Sequence, residues 1–245
     1  MTNEDFIQEL ATLRKPANRV HLESGNQEQA PITKISGVPW WPKNCARPTC
    51  KHGHPMTFMA QILLKNVPAF PSDDRGILSF HYCEQCGYDG NMSFGFNDSV
   101  NQGYDVRVFE DLGNSSVDGL GALGESTLPN HSVSFSQFLE VPKIDDMTES
   151  LRSFLPEDYC GNSGDYEEND YNGLIHRPLL KLGGWPSWVQ SAQWPTVGSE
   201  KMKFVCQFDA IIGTRSTWGG GGFAYLFISP DGVFPRRGEL VIQTT

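Results

Sequence analysis

Two close cysteine pairs are the part of this sequence best suited to chemistry. Cys45 and Cys50 enclose four residues in Cys-Ala-Arg-Pro-Thr-Cys, and Cys83 and Cys86 enclose two in Cys-Glu-Gln-Cys, followed by Gly87. Each pair can form one knuckle, and four thiolates close a tetrahedral shell around zinc. A closed shell leaves no position for water or substrate, so the zinc expected at Cys45, Cys50, Cys83 and Cys86 is structural. His52 and His54 follow at once. A mixed site, with one histidine in place of a cysteine, is therefore an alternative, and a metal-free loop is a third. Disulfides fit poorly with a reducing compartment. A redox Cys-x2-Cys would stand alone and open a helix, whereas Cys83 ends an apolar run. Cys206 reads as core and Cys160 as a loop thiol.

Other motifs fall short of a chemistry. Gly219 to Gly222 follow Trp218 but lack the Gly-Lys-Ser/Thr ending of a phosphate loop, and they lead into a strand. Glu168 to Gly173 has the look of a calcium loop, yet Leu179 stands where a bidentate Glu is needed. There is no His-Glu-x-x-His and no Gly-x-Ser-x-Gly. His81, two residues before Cys83, is expected to flank the zinc site. An enzyme reading has only a cleft between two halves to work with, drawing on His176, Arg177, Asp209 and the Gly219 to Gly222 loop.

Charge narrows the partners. The 245 residues carry a formal net charge of −10, which repels nucleic-acid phosphates. Nine of the acids fall between Asp145 and Ile175, against the single base Arg152. That stretch reads as a solvated loop or as a contact surface for a basic partner. No run approaches the ~20 apolar residues that span a bilayer. The start, Met1 to Asp5, is acidic where an export signal would be basic and then apolar. A cytoplasmic protein, with no nucleic-acid or membrane partner, is expected.

The elements that must position these residues are mostly strands. Hydrophobic residues make up 38% and charged residues 20%, which describes a globular chain. Phe6, Ile7, Leu10 and Leu13 predict a helix over 3–14, capped by Asn3. Residues 15–31 are polar and read as a linker. Strands are expected over 57–64, 77–83, 105–109 and 132–141, a loop over 113–129, a short helix over 145–155 and an acidic loop over 156–172.

An internal repeat organises the rest. Lys34 to Trp41 matches Lys181 to Trp188, Met56 to Ile62 matches Met202 to Phe208, and Gly76 to Phe80 matches Gly222 to Leu226. The offsets are 146 or 147 residues throughout, too long for a solenoid, so a duplicated module is expected. Gly37-Val38-Pro39 and Gly184-Trp185-Pro186 predict tight turns. Trp41 and Trp188 should occupy matching core positions. Gln61 and Gln207 lie inside apolar strands, where an amide must have its hydrogen bonds met, so each should tie down the backbone of a neighbouring loop. Ser229 to Gly232 replaces the second knuckle, so only the first half should bind metal.

These residues together resemble the YwqG family and its wider relatives, the programmed cell death protein 2 group and its yeast ribosome-assembly homologue. The resemblance rests on the Gly-x-Pro and Trp-Pro elements, on Pro55 to Gln61 after a cysteine pair, on Gly76 to Phe80 leading to Cys83, and on Lys181 to Gln190. It runs from about Thr33 to Thr245. It implies a duplicated, mainly β, α+β fold, and in the eukaryotic relatives a dedicated chaperone that shields a basic ribosomal protein. This chain departs in its longer first cysteine spacing and in ending Gln243-Thr244-Thr245, without the usual cysteine.

The sequence thus predicts an α+β, mainly β fold with pseudo-two-fold related halves, an N-terminal helix and one structural zinc site. The expected segments are an N-terminal helix and linker (1–31), a first repeat with the zinc site (32–142), a helix and acidic linker (143–180) and a second repeat (181–245). The expected role is a zinc-stabilised cytoplasmic protein-binding module, chaperone-like or immunity-type, with a basic protein partner; the alternative is an enzyme acting between the repeats.

Overall fold

The computed structural model describes residues 1–24, 30–42, 45–85, 103–110, 131–155, 180–209, 222–231, 233 and 235–244. It contains helices α1 (Asn3–Thr12) and α2 (Glu149–Ser153). Ten strands form the main sheet: β1 (Lys15–Ser24), β2 (Lys34–Ile35), β3 (Thr57–Leu63), β4 (Ile77–Tyr82), β5 (Tyr104–Phe109), β6 (His131–Glu140), β7 (Leu180–Gly183), β10 (Lys203–Asp209), β11 (Gly222–Ile228) and β12 (Gly238–Thr244). Strands β8 (Thr196–Val197) and β9 (Glu200–Lys201) make a small separate hairpin. Among the described residues no helix is long and apolar enough to cross a membrane.

The sheet runs β12-β11-β10-β7-β1-β6-β2-β3-β4-β5. Read from either edge inward, a four-stranded unit leads to the central β1–β6 pair. The two units share more than their order. Lys34 faces Gln61 and Lys181 faces Gln207. Gln61 faces Ser79 and Gln207 faces Tyr225. Each unit carries a β-bulge at one place, between Phe58 and Ala60 and between Phe204 and Cys206. A bulge leaves one residue unpaired and bends the strand, so its recurrence in register fixes the same curvature twice. The turns agree as well: Ser36 and Gly37 have φ of 56° and 77°, and Gly183 and Gly184 have 71° and 73°. Gly184 has no room for a side chain, because a Cβ there would lie 1.9 Å from a Glu140 carboxylate oxygen.

The buried glutamines do what their surroundings demand. The Trp40 N–H donates to Gln61 Oε1 at 2.8 Å, and Gln61 Nε2 donates to the carbonyls of Ala30 (2.9 Å) and Ile32 (2.5 Å). In the second unit the Ser187 N–H donates to Gln207 Oε1 at 2.9 Å. Trp41 and Trp188 are both buried. Trp41 meets His81 edge-on at 5.1 Å, and His81 tilts against Phe58. At the corresponding positions Trp188 stacks on Phe227, which tilts against Phe204.

The first difference from the sequence reading is β1. The polar stretch expected to be a linker is a strand over Lys15–Ser24, paired along its length with β6 and through Ala17, Asn18 and Arg19 with β7. Only Ala17 and Val20 are buried along it, so apolar periodicity could not reveal it. The second difference is the helix cap, which is Thr2 rather than Asn3. Its side chain accepts from the Asp5 N–H, and Asp5 accepts from the Thr2 N–H, a reciprocal capping box. Helix α1 then packs Phe6 and Leu10 against Val141, Met147 and Leu151. The loop expected over 113–129 and the acidic loop over 156–172 lie outside the described residues.

Edge strands β5 and β12 approach each other, so the sheet is a nearly closed barrel. Side chains draw the seam together where no ladder forms. Tyr104 donates to Glu239 at 2.7 Å. Arg236 bonds Asp74 at 2.7 Å and also pairs with Glu110.

Two charged contacts generate tests. Lys181 and Glu140 are buried together, with Lys181 Nζ 2.7 and 2.6 Å from the two carboxylate oxygens. Removing either partner leaves an unpaired charge in the interior. Lys181→Met or Glu140→Gln is expected to cost about 3–5 kcal/mol, and the double variant less than the sum, as measured by denaturant unfolding in a double-mutant cycle. At the seam, burial would raise the Asp74 carboxyl. The hydrogen bonds from Arg236 and the Gly76 N–H outweigh it and hold the group below its ordinary range. A depressed folded value contributes stability above the unfolded pKa of about 3.9, which is lost as pH falls through the folded value. Asp74→Asn is expected to lower stability at pH 7 and to flatten its decline below about pH 4; an unchanged acid limb in urea titrations would contradict this.

Candidate metal centre

The later part of the loop between β2 and β3, residues 45–55, has little apolar content, so backbone bonds shape it. The Cys50 N–H donates to the His54 carbonyl at 3.0 Å, and the Gly53 N–H to the Cys50 carbonyl at 2.9 Å. Gly53 takes φ of +80°, a left-handed conformation that costs glycine little. Thr49 and Pro55 bridge the base of the turn. This tight reversal turns Cys50, His52 and His54 to one point, with their ligand atoms all within 4.8 Å of one another. Cys50 is buried, His54 half-buried and His52 exposed.

Cys83 arrives from the far side at the end of β4. Its Sγ lies 3.9 Å from His54 Nδ1, and it packs with Cys50 and Met56. The Cys83 N–H is anchored to the Gly103 carbonyl at 2.6 Å. Tetrahedral metal–sulfur and metal–nitrogen bonds place neighbouring donors about 3.3–3.8 Å apart. The turn therefore needs to contract by about an ångström to close on an ion. Thiolate and imidazole donors in this number fit a metal ion, and the shell they would form is built by a turn and a strand end.

The outcome for each expected ligand differs. Cys50 is in the group. Cys83 stands beside it, against His54. Cys45 is half-buried and is not one of the three grouped donors; its carbonyl accepts from Trp41 Nε1 at 2.9 Å. Cys86 lies outside the described residues. The sequence reading admitted one histidine in place of a cysteine, whereas the turn gathers both. The signal was the alternation Cys50-x-His52-x-His54 with Gly53 between the histidines, which lets a reversal point all three inward.

His81 does not reach the metal group. It is fully buried between the rings of Trp41 and Phe58, and neither ring nitrogen has a partner among the described residues. Burial, and then the charge of Arg107, push its pKa down to about 3, so it sits as a neutral ring. The matching residue in the second unit is Phe227, which accounts for a histidine with no polar role. The second unit also shows what replaces metal at the strand end. Ser229 occupies the position matching Cys83, and its hydroxyl accepts from the Arg237 N–H at 2.6 Å, closing by hydrogen bond the hairpin that Cys83 leads into in the first.

The enzyme reading draws on His176, Arg177, Asp209 and the Gly219 to Gly222 loop. His176, Arg177 and Gly219 to Gly221 lie outside the described residues, and Asp209 is buried at the end of β10. A groove of about 690 Å³ does run along the seam, lined by Tyr104 to Phe109 and Arg236 to Glu239. Among its groups Asp105 pairs with Arg107 at 2.7 Å, Glu239 accepts from Tyr104, and Arg236 bonds Asp74 and Glu110.

Metal content is the direct check. Freshly purified protein is expected to carry one metal ion per chain, and Cys50→Ser or His54→Ala to lose it on gel filtration. Chelation is expected to lower Tm, by about 2–4 °C for each kcal/mol of metal-linked stability in a chain of this size. Protein free of metal by elemental analysis, with Tm indifferent to chelator, would rule the centre out.

A comparison with curated proteins gives no match. A family model, described as Domain of unknown function (DUF1963), matches residues 33–237. That span takes in β2 to β11, the Cys50-x-His-x-His turn and the Arg236 seam, and the chain belongs to this family.

Proposed function

We propose that the chain is a zinc-stabilised, cytoplasmic protein-binding module of YwqG type, chaperone-like or immunity-type, which docks an extended basic segment of a partner along β6. The observation that carries this reading is the stretch of β6 that no described strand flanks on its second side. β6 pairs with β1 over ten residues, but β2 meets it only at His131. Beyond that point its second row of backbone groups has no strand beside it among the described residues, and an unpaired edge is a template for an added strand. Two large apolar side chains are displayed on the same ladder, Phe135 at 36% and Leu139 at 53% exposure. Most soluble domains cover or charge such an edge.

Charge supports the kind of partner. A net charge of −10 favours encounter with a basic chain. The resemblance to a group whose eukaryotic members shield a basic ribosomal protein points the same way. Zinc suits the metal centre, because a thiol and two imidazoles gathered on one turn, with the Cys83 thiol 3.9 Å from His54, are donors that a borderline-soft, redox-inert ion accepts. Retained thiols accord with a reducing compartment.

The test places a photo-reactive residue at Ser134 or Ser136, which are exposed on β6, and a control at exposed Asp73. Adducts with a basic protein are expected at the β6 positions, weakened above about 0.5 M salt as screening shortens the reach of charge. Leu139→Asp is expected to reduce capture about tenfold with Tm unchanged. Equal labelling at Asp73, or capture indifferent to Leu139→Asp, would overturn the reading.

A further inference from the structure

A second cavity lies where β1, the turn after β7 and the start of β10 meet. Its volume is about 420 Å³, within the range of small-molecule sites. The walls are predominantly apolar, formed in part by Trp185, Trp194 and Phe204. The two indoles stand edge to face, 6.5 Å apart at 85°. Both are fixed by their ring N–H groups, Trp185 to the Leu13 carbonyl at 2.9 Å and Trp194 to an Asp146 oxygen at 2.5 Å. Their faces are thus held in place before any ligand arrives, which reduces the ordering cost of binding.

The charge of this cavity opposes that of the protein. Lys15, Lys201 and Lys203 line it, and among the described residues no carboxylate does. Lys203 is neutralised by Asp231 at 2.5 Å. Lys15 and Lys201 have no carboxylate within salt-bridge distance among the described residues. Lys15 Nζ instead sits 3.3 Å from the centroid of the Trp185 ring, and Lys201 Nζ 5.1 Å from that of Trp194. Asp146 acts on both lysines and Glu140 on Lys15, neither acid pairing with them. Glu140 holds Lys181, and Asp146 accepts from Trp188 and Trp194. Burial pushes the Lys15 ammonium down, the charges of Asp146 and Glu140 pull it back up, and Lys201 opposes them. Two cations that repel across an apolar slot are a site with a vacancy for one negative charge.

We propose that this cavity binds a small aromatic carboxylate, its ring against Trp185 and Trp194 and its carboxylate between Lys15 and Lys201. A monoanion on a flat apolar body matches each part. The ring removes indole surface from water, and the carboxylate is met by two ammonium groups in surroundings where charge acts strongly. A multiply charged phosphate fits less well, because two ammonium groups set against Asp146 leave part of its charge unmet in an apolar slot. The site is independent of the β6 edge and of the metal centre.

Phenylacetate is the probe, set against phenylacetamide, acetate and inorganic phosphate, with binding to the full chain followed by calorimetry and ligand-observed NMR. Phenylacetate is expected to bind at least about tenfold more tightly than any of the three. Lys15→Met and Lys201→Met are each expected to weaken it by about three- to tenfold. Lys201 is exposed, so its variant keeps the test alive if Lys15→Met disturbs the fold. No phenylacetate binding at 10 mM (roughly the weak limit for a site of this size), equal binding of phenylacetamide, tighter binding of phosphate, or unchanged affinity in both folded variants would each overturn the proposal.

Discussion

The buried carboxylate of Glu140 is the point on which the barrel turns. It ends β6, accepts Lys181 from β7, and accepts the Trp185 N–H from the turn that follows, at 2.5 Å. Lys181 completes its own shell with the Trp185 carbonyl and the Ser187 hydroxyl. An ionised pair survives in an interior only when both members are fully bonded, so strand end, neighbouring strand and turn must sit in one relative position. Glycine at 184 follows from this, since any Cβ would strike the carboxylate. Trp185 is held in turn, and through it the C-terminus of α1 and one wall of the cationic cavity. The metal turn lies in the other unit and takes no part in this knot.

What could be read in the sequence was whatever repeated or ran apolar. Strands β3, β4, β10 and β11 are almost entirely buried, and buried strands announce themselves as hydrophobic runs. Gln61 and Gln207 were legible because a polar amide in such a run has few acceptable fates. The metal turn was half legible. Its cysteines stood out, but the way two histidines join one of them depends on Gly53 adopting a left-handed conformation, which a list of ligand types does not encode. The cavity between Lys15 and Trp194 was not legible at all, because its walls come from five separate stretches that only the barrel brings together. Gln243, which accepts from the Val189 and Gln190 N–H groups and donates to the Ser191 carbonyl, repeats the logic of Gln61 from a terminal strand that gave no such signal.

The two units also show how one backbone can be finished by different chemistry. At the strand end after β4 there is a thiol beside an imidazole; after β11 there is a serine hydroxyl bonded to Arg237. Inside, a histidine ring fills the slot that a phenylalanine fills opposite. In each case register and curvature are shared, and the side chain at one position changes the means by which an end or a slot is closed. A loop stapled by an ion can be held without a core of its own, which suits the apolar-poor segment before β3.

Strand β1 has a consequence for how the chain comes to be made. It is synthesised well before its partners β6 and β7, which begin at His131 and Leu180. At roughly 5–20 residues per second, translation leaves it without either neighbour for some seconds to tens of seconds. A lone strand rich in valine and isoleucine would spend that interval seeking other edges. Pro16, Asn18, Arg19, His21 and Glu23 supply the proline and charges that discourage such pairing. The polarity that makes this segment look like a tether is what lets the middle of the barrel wait, solvated and uncommitted, for the rest of the protein to arrive.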